Sequence, residues 1–136
     1  MSIDKIFIIN LEHRTDRRVQ ILEEMRKQGI SEDEYEFFKA IKPSMDDVLR
    51  WNINYCGHVR RDVAARNFDG YRIGCLGCSS SHVEVCKLAL LRGYKNILIL
   101  EDDAVFTETF DKLSLYSKQI EYNYDMLYLC GSHLGE

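Results

Sequence analysis

Apolar and polar positions along the chain fall into short apolar runs separated by amphipathic stretches. Lys5 to Asn10 (KIFIIN) is almost continuously apolar, β-branched and aromatic, the pattern of a strand buried on both faces of a parallel sheet. Asn96 to Leu100 (NILIL) reads as a central strand by the same rule, Tyr35 to Ile41 as a partly alternating one, and Met126 to Cys130 (MLYLC) as one more. Between the first two runs, Val19, Leu22 and Met25 recur at helical spacing, with Thr15 or Asp16 as cap and Gly29 as stop. A short helix from Asp46 towards Trp51 is expected after Pro43. Ser79 to Leu91 is predicted to be a helix ended by Gly93. Ser81 and Glu84 match a capping box, and Cys75 to Cys78 is an alternative first turn. Its apolar positions, Val83, Val85, Cys86 and Leu88 to Leu91, point in most directions, which describes a buried helix. Phe110 to Ile120 reads as an amphipathic helix. Asn52 to Gly74 is mixed in charge, with Asp62 to Phe68 a helical turn or two. Strands alternating with helices predict an α/β domain, a mostly parallel sheet with helices on both faces.

At 136 residues the chain is expected to form a single domain, 1–136, and 46% apolar against 29% charged residues is an ordinary globular balance. A net charge of −4 supplies no global field for nucleic acid or anionic lipid, so no nucleic-acid partner is expected and any phosphate-binding charge must be local. Five cysteines without regular spacing suit a reducing compartment better than a disulfide framework. The start of the chain lacks a secretory pattern, and no apolar run is long enough for a transmembrane segment. The expectation is a soluble, cytoplasmic protein.

Three constellations carry candidate chemistry. Glu101-Asp102-Asp103 follows the apolar strand directly, and in open α/β sheets ligands bind beyond the carboxyl ends of the strands. Hard oxygen donors there suit Mg²⁺ or Mn²⁺ shared with substrate phosphates; the plainer reading is a solvated acidic turn. Arg14, Arg17 and Arg18 stand beside Asn10 at the end of the first strand, where planar guanidinium forks and a helix N-terminus can grip a diphosphate. Taken alone, Arg17 and Arg18 more often face solvent or pair with Asp16, Glu23 or Glu24. Gly74 to His82 (GCLGCSSSH) reads as a compact turn whose backbone amides could approach a ligand, with His82 either positioning a phosphate or sugar hydroxyl or merely packing.

Cys75, Cys78, His82 and Cys86 are zinc-type ligands, but a Cys-x2-Cys knuckle normally sits in a turn. Here the apolar helix can use Cys78 and Cys86 as small core residues, so packing is the expectation, and Cys56 and His58 add little. Trp51 and the Tyr and Phe residues are scattered among the expected strands and helices, so core packing is the expectation for most of them.

Asn10-Leu11-x-x-Arg14-x-Asp16-Arg17, the Gly-Cys-x-x-Ser81-His82 segment and Leu100-Glu101-Asp102-Asp103-Ala104 occur in the order found in glycosyltransferase family 25, which the chain resembles over nearly its whole length. That family includes lipooligosaccharide galactosyltransferases and collagen β-galactosyltransferases. The resemblance implies a GT-A type, Rossmann-like nucleotide-sugar-binding sheet. It implies a UDP-sugar donor, most often UDP-galactose, and Mn²⁺ or Mg²⁺ held by the acidic motif. The implied reaction is inverting transfer of galactose or glucose to a saccharide or protein hydroxyl acceptor. Carried over by residue, Glu101 and Asp103 resemble the metal ligands, while Asn10, Leu11, Arg14, Arg17, Ser81, His82 and Asp102 resemble donor-binding positions. No catalytic base is assigned. Catalytic domains of the family exceed 136 residues, so the chain is expected to be the N-terminal, donor-binding part, and an incomplete sheet with an exposed edge is expected to favour homo-oligomers.

Overall fold

The computed structural model describes residues 2–51, 68–120 and 124–129. Three parallel strands, β1 (Lys5–Asn10), β2 (Tyr35–Lys39) and β3 (Ile97–Glu101), form one sheet in the order β2-β1-β3. Helix α1 (Thr15–Lys27) connects β1 to β2, while α2 (Met45–Arg50) and the long α3 (Phe68–Leu91) lie between β2 and β3; α4 (Lys112–Ser117) follows.

Strand β1 is the centre of the sheet and of the core, and its side chains divide by the two-residue period of a strand. Ile6 and Ile8 pack with Ile21, Met25, Ile30 and Leu98 on one face; Phe7 and Ile9 pack with Val85 and Ala89 on the other. Helix α1 therefore covers one face and α3 the other, as the alternation of elements predicts. Phe7, Ile8, Ile21, Met25 and Val85 are fully enclosed, each worth about 1.5–3 kcal/mol of apolar burial.

The helices differ from expectation in informative ways. Helix α1 begins at Thr15 with Arg14 in the cap position and no side-chain cap, so Thr15 and Asp16 lie inside the first turn. Its buried face is Ile21 and Met25, with Leu22 half-buried and Val19 57% exposed. Met25 of the expected stripe is thus buried, and with Ile21, four residues before it, it meets β1. Gly29 ends the helix at φ +69°, a left-handed conformation that glycine adopts without steric cost. Helix α2 starts one residue before the expected Asp46, because Ser44 and Asp47 form a reciprocal capping box.

The largest correction concerns α3. The Gly74–His82 stretch is not a turn but the middle of a 24-residue helix, so its amides are bonded along the helix rather than offered to a ligand. Ser81 is accordingly no cap. Its buried hydroxyl donates to the Gly77 carbonyl at 2.7 Å and accepts from the Ile41 amide at 2.9 Å. Gly77 is needed there: a Cβ on it would meet the Ile41 carbonyl oxygen at 2.7 Å and Pro43 Cδ at 3.0 Å. The helix is not buried all round, since Val83, Leu90 and Leu91 are exposed, as are Cys78 and Cys86, which do not serve as core residues. Trp51 is exposed as well.

Met126 to Leu129 form no strand, and Met126, Tyr128 and Leu129 are exposed; Cys130 of that expected strand lies outside the described residues. An apolar run becomes a strand only when a neighbouring ladder pairs with it, and β3, an edge of the sheet, is not paired with it among the described residues. The expected turns of helix over Asp62 to Phe68 fall, apart from Phe68 at the start of α3, outside the described residues, as do Cys56 and His58. No described helix is long and apolar enough to cross a membrane.

Candidate functional site

Parallel pairing brings the carboxyl ends of β1 and β3 side by side: Ile9 pairs with Glu101, so Asn10, the last residue of β1, stands beside Asp102, the first residue after β3. Asn10 is buried, and its amide donates to Asp102 Oδ2 at 2.8 Å and to the Arg14 carbonyl at 3.3 Å. One side chain thus ties the end of β1 to the acidic motif and to the entrance of α1. The Leu11 carbonyl accepts from the Arg14 amide at 2.7 Å, closing the turn into α1, and Leu11 itself is half-buried. After β3, the Ala104 amide returns to the Glu101 carbonyl at 3.1 Å, so the three acids form a tight turn at the strand end.

The turn sends the acids to different neighbours. Asp103 and Asp102 line a shallow open depression of about 280 Å³ against α1, together with Arg17, Glu23 and Glu24. Glu101 faces α3: His82 Nε2 lies 2.7 Å from Glu101 Oε1, and the Cys78 thiol donates to the same oxygen at 3.6 Å. A carboxylate only accepts, which puts the His82 proton on Nε2. Partial desolvation, then the Glu101 charge and the hydrogen bond to it, push the Cys78 thiol above its usual range.

The arginines separate. Arg14 closes a two-pronged pair on Asp16, through Nε at 2.9 Å and Nη2 at 2.8 Å. That pair raises the Arg14 pKa, with smaller help from Asp102 and Asp103, and holds the Asp16 carboxyl down at about 2. Arg17 reaches Gln20 Oε1 at 3.2 Å and borders the depression. Arg18 instead lies 3.9 Å above the Phe37 ring centroid, a cation–π contact that anchors α1 to β2. The expected pairing of Asp16 with Arg17 or Arg18 is therefore made by Arg14.

Of the residues singled out in the sequence, Asn10, Arg14, Arg17, Asp102 and Asp103 gather at the carboxyl edge of the sheet on the α1 side, and His82 and Glu101 meet on the α3 side. Ser81 is buried with its hydroxyl held by backbone groups. Glu101 as a partner of both Cys78 and His82 is the grouping that sequence reading missed. Cys78 and His82 at i, i+4 share a helix face, and the third group arrives from β3.

The family model described as Glycosyltransferase family 25 (LPS biosynthesis protein) matches residues 3–133. The chain is 30% identical over 112 residues, 82% of its length, to Procollagen galactosyltransferase 2 of Mus musculus, and covers 17% of that protein. It is 30% identical over 139 residues, 93% of its length, to Procollagen lysyl hydroxylase and glycosyltransferase of Acanthamoeba polyphaga mimivirus, covering 15% of it. Inactive glycosyltransferase 25 family member 3 of Homo sapiens is 25% identical over 142 residues, 95% of the chain and 22% of that protein. The chain thus spans about a fifth or less of the lengths of these curated relatives. With a family match running from β1 through the acidic turn, the chain belongs to glycosyltransferase family 25.

Proposed function

We propose that the chain is the donor-binding part of a sugar transferase of GT-A type, acting with Mn²⁺ or Mg²⁺ on a UDP-sugar. The observation that carries this reading is the Asn10–Asp102 hydrogen bond, which joins the Arg14–Arg17 segment and the acidic turn at one strand edge. Guanidinium groups and carboxylates placed together there match the two needs of a nucleotide diphosphate: fixed positive charge and a bridging divalent cation.

The donor set on the α1 side fits such a cation. Asp102 and Asp103 offer hard oxygens at an open depression, with Arg17 at its border. Asp103 would hold the metal, and Glu101 joins it only by turning away from His82 and Cys78. A divalent ion held there would supply positive charge opposite the nucleotide diphosphate. Arg17 adds a charged donor to the same oxygens, and Arg14 does so once its exposed pair with Asp16 opens, at small cost. Asn10 holds Asp102 and the α1 entrance in register. Galactose is the proposed sugar, by likeness to a relative named galactosyltransferase, with glucose second; the acceptor is a hydroxyl of a saccharide or a protein, and transfer inverts the anomeric centre.

Titration with UDP, UDP-galactose and UDP-glucose, with Mn²⁺ and then with chelator, followed by calorimetry, tests the reading. Metal-dependent binding of the uridine diphosphates is the expected result, and a folded sample that binds none of them overturns it. A second reading, a catalytically silent nucleotide-sugar-binding module, draws on the likeness to a relative named inactive. It predicts donor binding without transfer or donor hydrolysis, so metal-dependent turnover would exclude it.

A further inference from the structure

From Cys78, His82 and Glu101 we infer a second metal site, selective for a borderline-soft divalent ion such as Zn²⁺ and separate from the hard-oxygen depression on the α1 side. One ligand atom from each of the three residues lies within 4.8 Å of the other two. This brings a thiol, an imidazole and a carboxylate together, the three ligand types that zinc accepts.

The geometry suits a tetrahedral ion. With metal bonds of about 2.3 Å to sulfur and about 2.0–2.2 Å to nitrogen or oxygen, ligand atoms around one ion sit roughly 3.3–3.7 Å apart. Cys78 Sγ and Glu101 Oε1 are already 3.6 Å apart. His82 Nε2 and Glu101 Oε1, at 2.7 Å, share a proton and must part by less than about 1 Å when an ion replaces it. Cys78 and His82 are one helical turn apart on α3, so a rigid helix sets their spacing, and the end of β3 supplies the third group. Both His82 and Glu101 are partly exposed, with side-chain accessibilities of 41% and 46%, which leaves an entry path.

Three protein ligands leave one position of a tetrahedron open, as in zinc sites that bind water or a substrate oxygen. Binding displaces the Cys78 thiol proton to solvent as the metal–sulfur bond forms, and His82 binds through Nε2 as the tautomer that carries its proton on Nδ1, so the thiol makes affinity rise with pH. Cys75 and Cys86, the other cysteines of the described residues, are outside the group. A soft thiolate disfavours Mg²⁺ and Mn²⁺ here, and carboxylates alone disfavour zinc selectivity on the α1 side.

Cobalt titration of the full chain under reducing conditions is the direct test, because Co²⁺ reports a thiolate ligand by near-ultraviolet charge-transfer absorption. One equivalent of Co²⁺, displaced by Zn²⁺, should give that absorption in the native protein and in Cys86→Ser. Cys78→Ser should abolish it, and His82→Ala and Glu101→Gln should each weaken affinity at least roughly tenfold, since even outer-shell partners of a metal are worth about 10–100-fold. Absence of the band, or its survival in Cys78→Ser, overturns the site. Should Cys78→Ser unfold by circular dichroism, unchanged cobalt affinity in both His82→Ala and Glu101→Gln overturns it instead.

Discussion

The two sides of the sheet's carboxyl edge differ more in chemistry than in shape. Towards α1 stand the Arg17 guanidinium and the carboxylates of Asp102, Asp103, Glu23 and Glu24 around an open depression; towards α3 stand a thiol, an imidazole and Glu101. Three consecutive acids supply both sides because Glu101 is still a strand residue while Asp102 and Asp103 have entered the turn. Asn10 then fixes the boundary by taking Asp102. Adjacent letters in an acidic motif are therefore not automatically one site: where a strand ends, neighbouring side chains diverge.

If the two sides are chemically independent, Asp103→Ala separates them most sharply. It should abolish metal-dependent UDP-sugar binding in calorimetry, a loss of at least roughly a hundredfold for a proposed direct ligand, while leaving the cobalt–thiolate absorption of the α3 side intact. Loss of both signals together would show that the acids act as one cluster. Glu101→Gln is expected to reach both sides, which makes it the weaker discriminator.

The α3 side depends on how closely that helix approaches the segment after β2. Gly77→Ala puts a methyl carbon against the Ile41 carbonyl, a backbone atom that yields only by shifting the helix, and strains the Ser81 bridge as well. An overpacking cost of about 1–3 kcal/mol is expected, lowering the melting temperature by several degrees. An unchanged melting curve would mean that the 41–43 segment moves freely against α3. On the boundary itself, Asn10→Ala removes one buried donor shared by Asp102 and the Arg14 carbonyl. A cost of about 1–2 kcal/mol in denaturant unfolding is expected, and with it weaker donor binding, because both halves of the proposed diphosphate site lose their common tether.

Legibility followed the same divide. Strand β1 matches its apolar run from Lys5 to Asn10, and its two-faced burial is what a continuous hydrophobic strand encodes. The place of the Asn10 segment and the acidic turn, side by side at the strand ends, was readable because each closes or follows an apolar strand run. The α3 side was not. Two glycines and a run of serines signal a turn by local propensity, yet packing against β1 and the Ile41–Pro43 segment holds them in a helix, with Gly77 selected for closeness rather than for freedom. Glu101 as a partner of His82 lies 19 residues away in sequence, and no periodicity connects a strand end to a helix face. The Met126 to Leu129 run shows the converse: apolar and β-prone, yet unpaired with the β3 edge among the described residues, it forms no strand.

The smallest expected effect is the most specific test of the α1 side. Arg14 is forked onto Asp16 rather than onto the acidic turn, and the hydrogen bond from Arg14 is the main reason the Asp16 carboxyl titrates at about 2 rather than near its ordinary 3.8. A carboxyl whose folded pKa is depressed contributes stability above its unfolded value and loses it as pH falls through the folded one. The contribution should therefore be complete above pH 3.8 and vanish as pH falls through about 2. Both partners are exposed, so the effect on unfolding is small. Asp16→Asn should flatten the pH dependence of stability across that window while barely changing it at neutral pH. If Arg14 serves the donor, the same substitution frees it and should tighten UDP binding a few-fold in calorimetry. Weaker binding in Asp16→Asn would instead assign the pair a positioning role, with Asp16 holding the guanidinium where the diphosphate meets it.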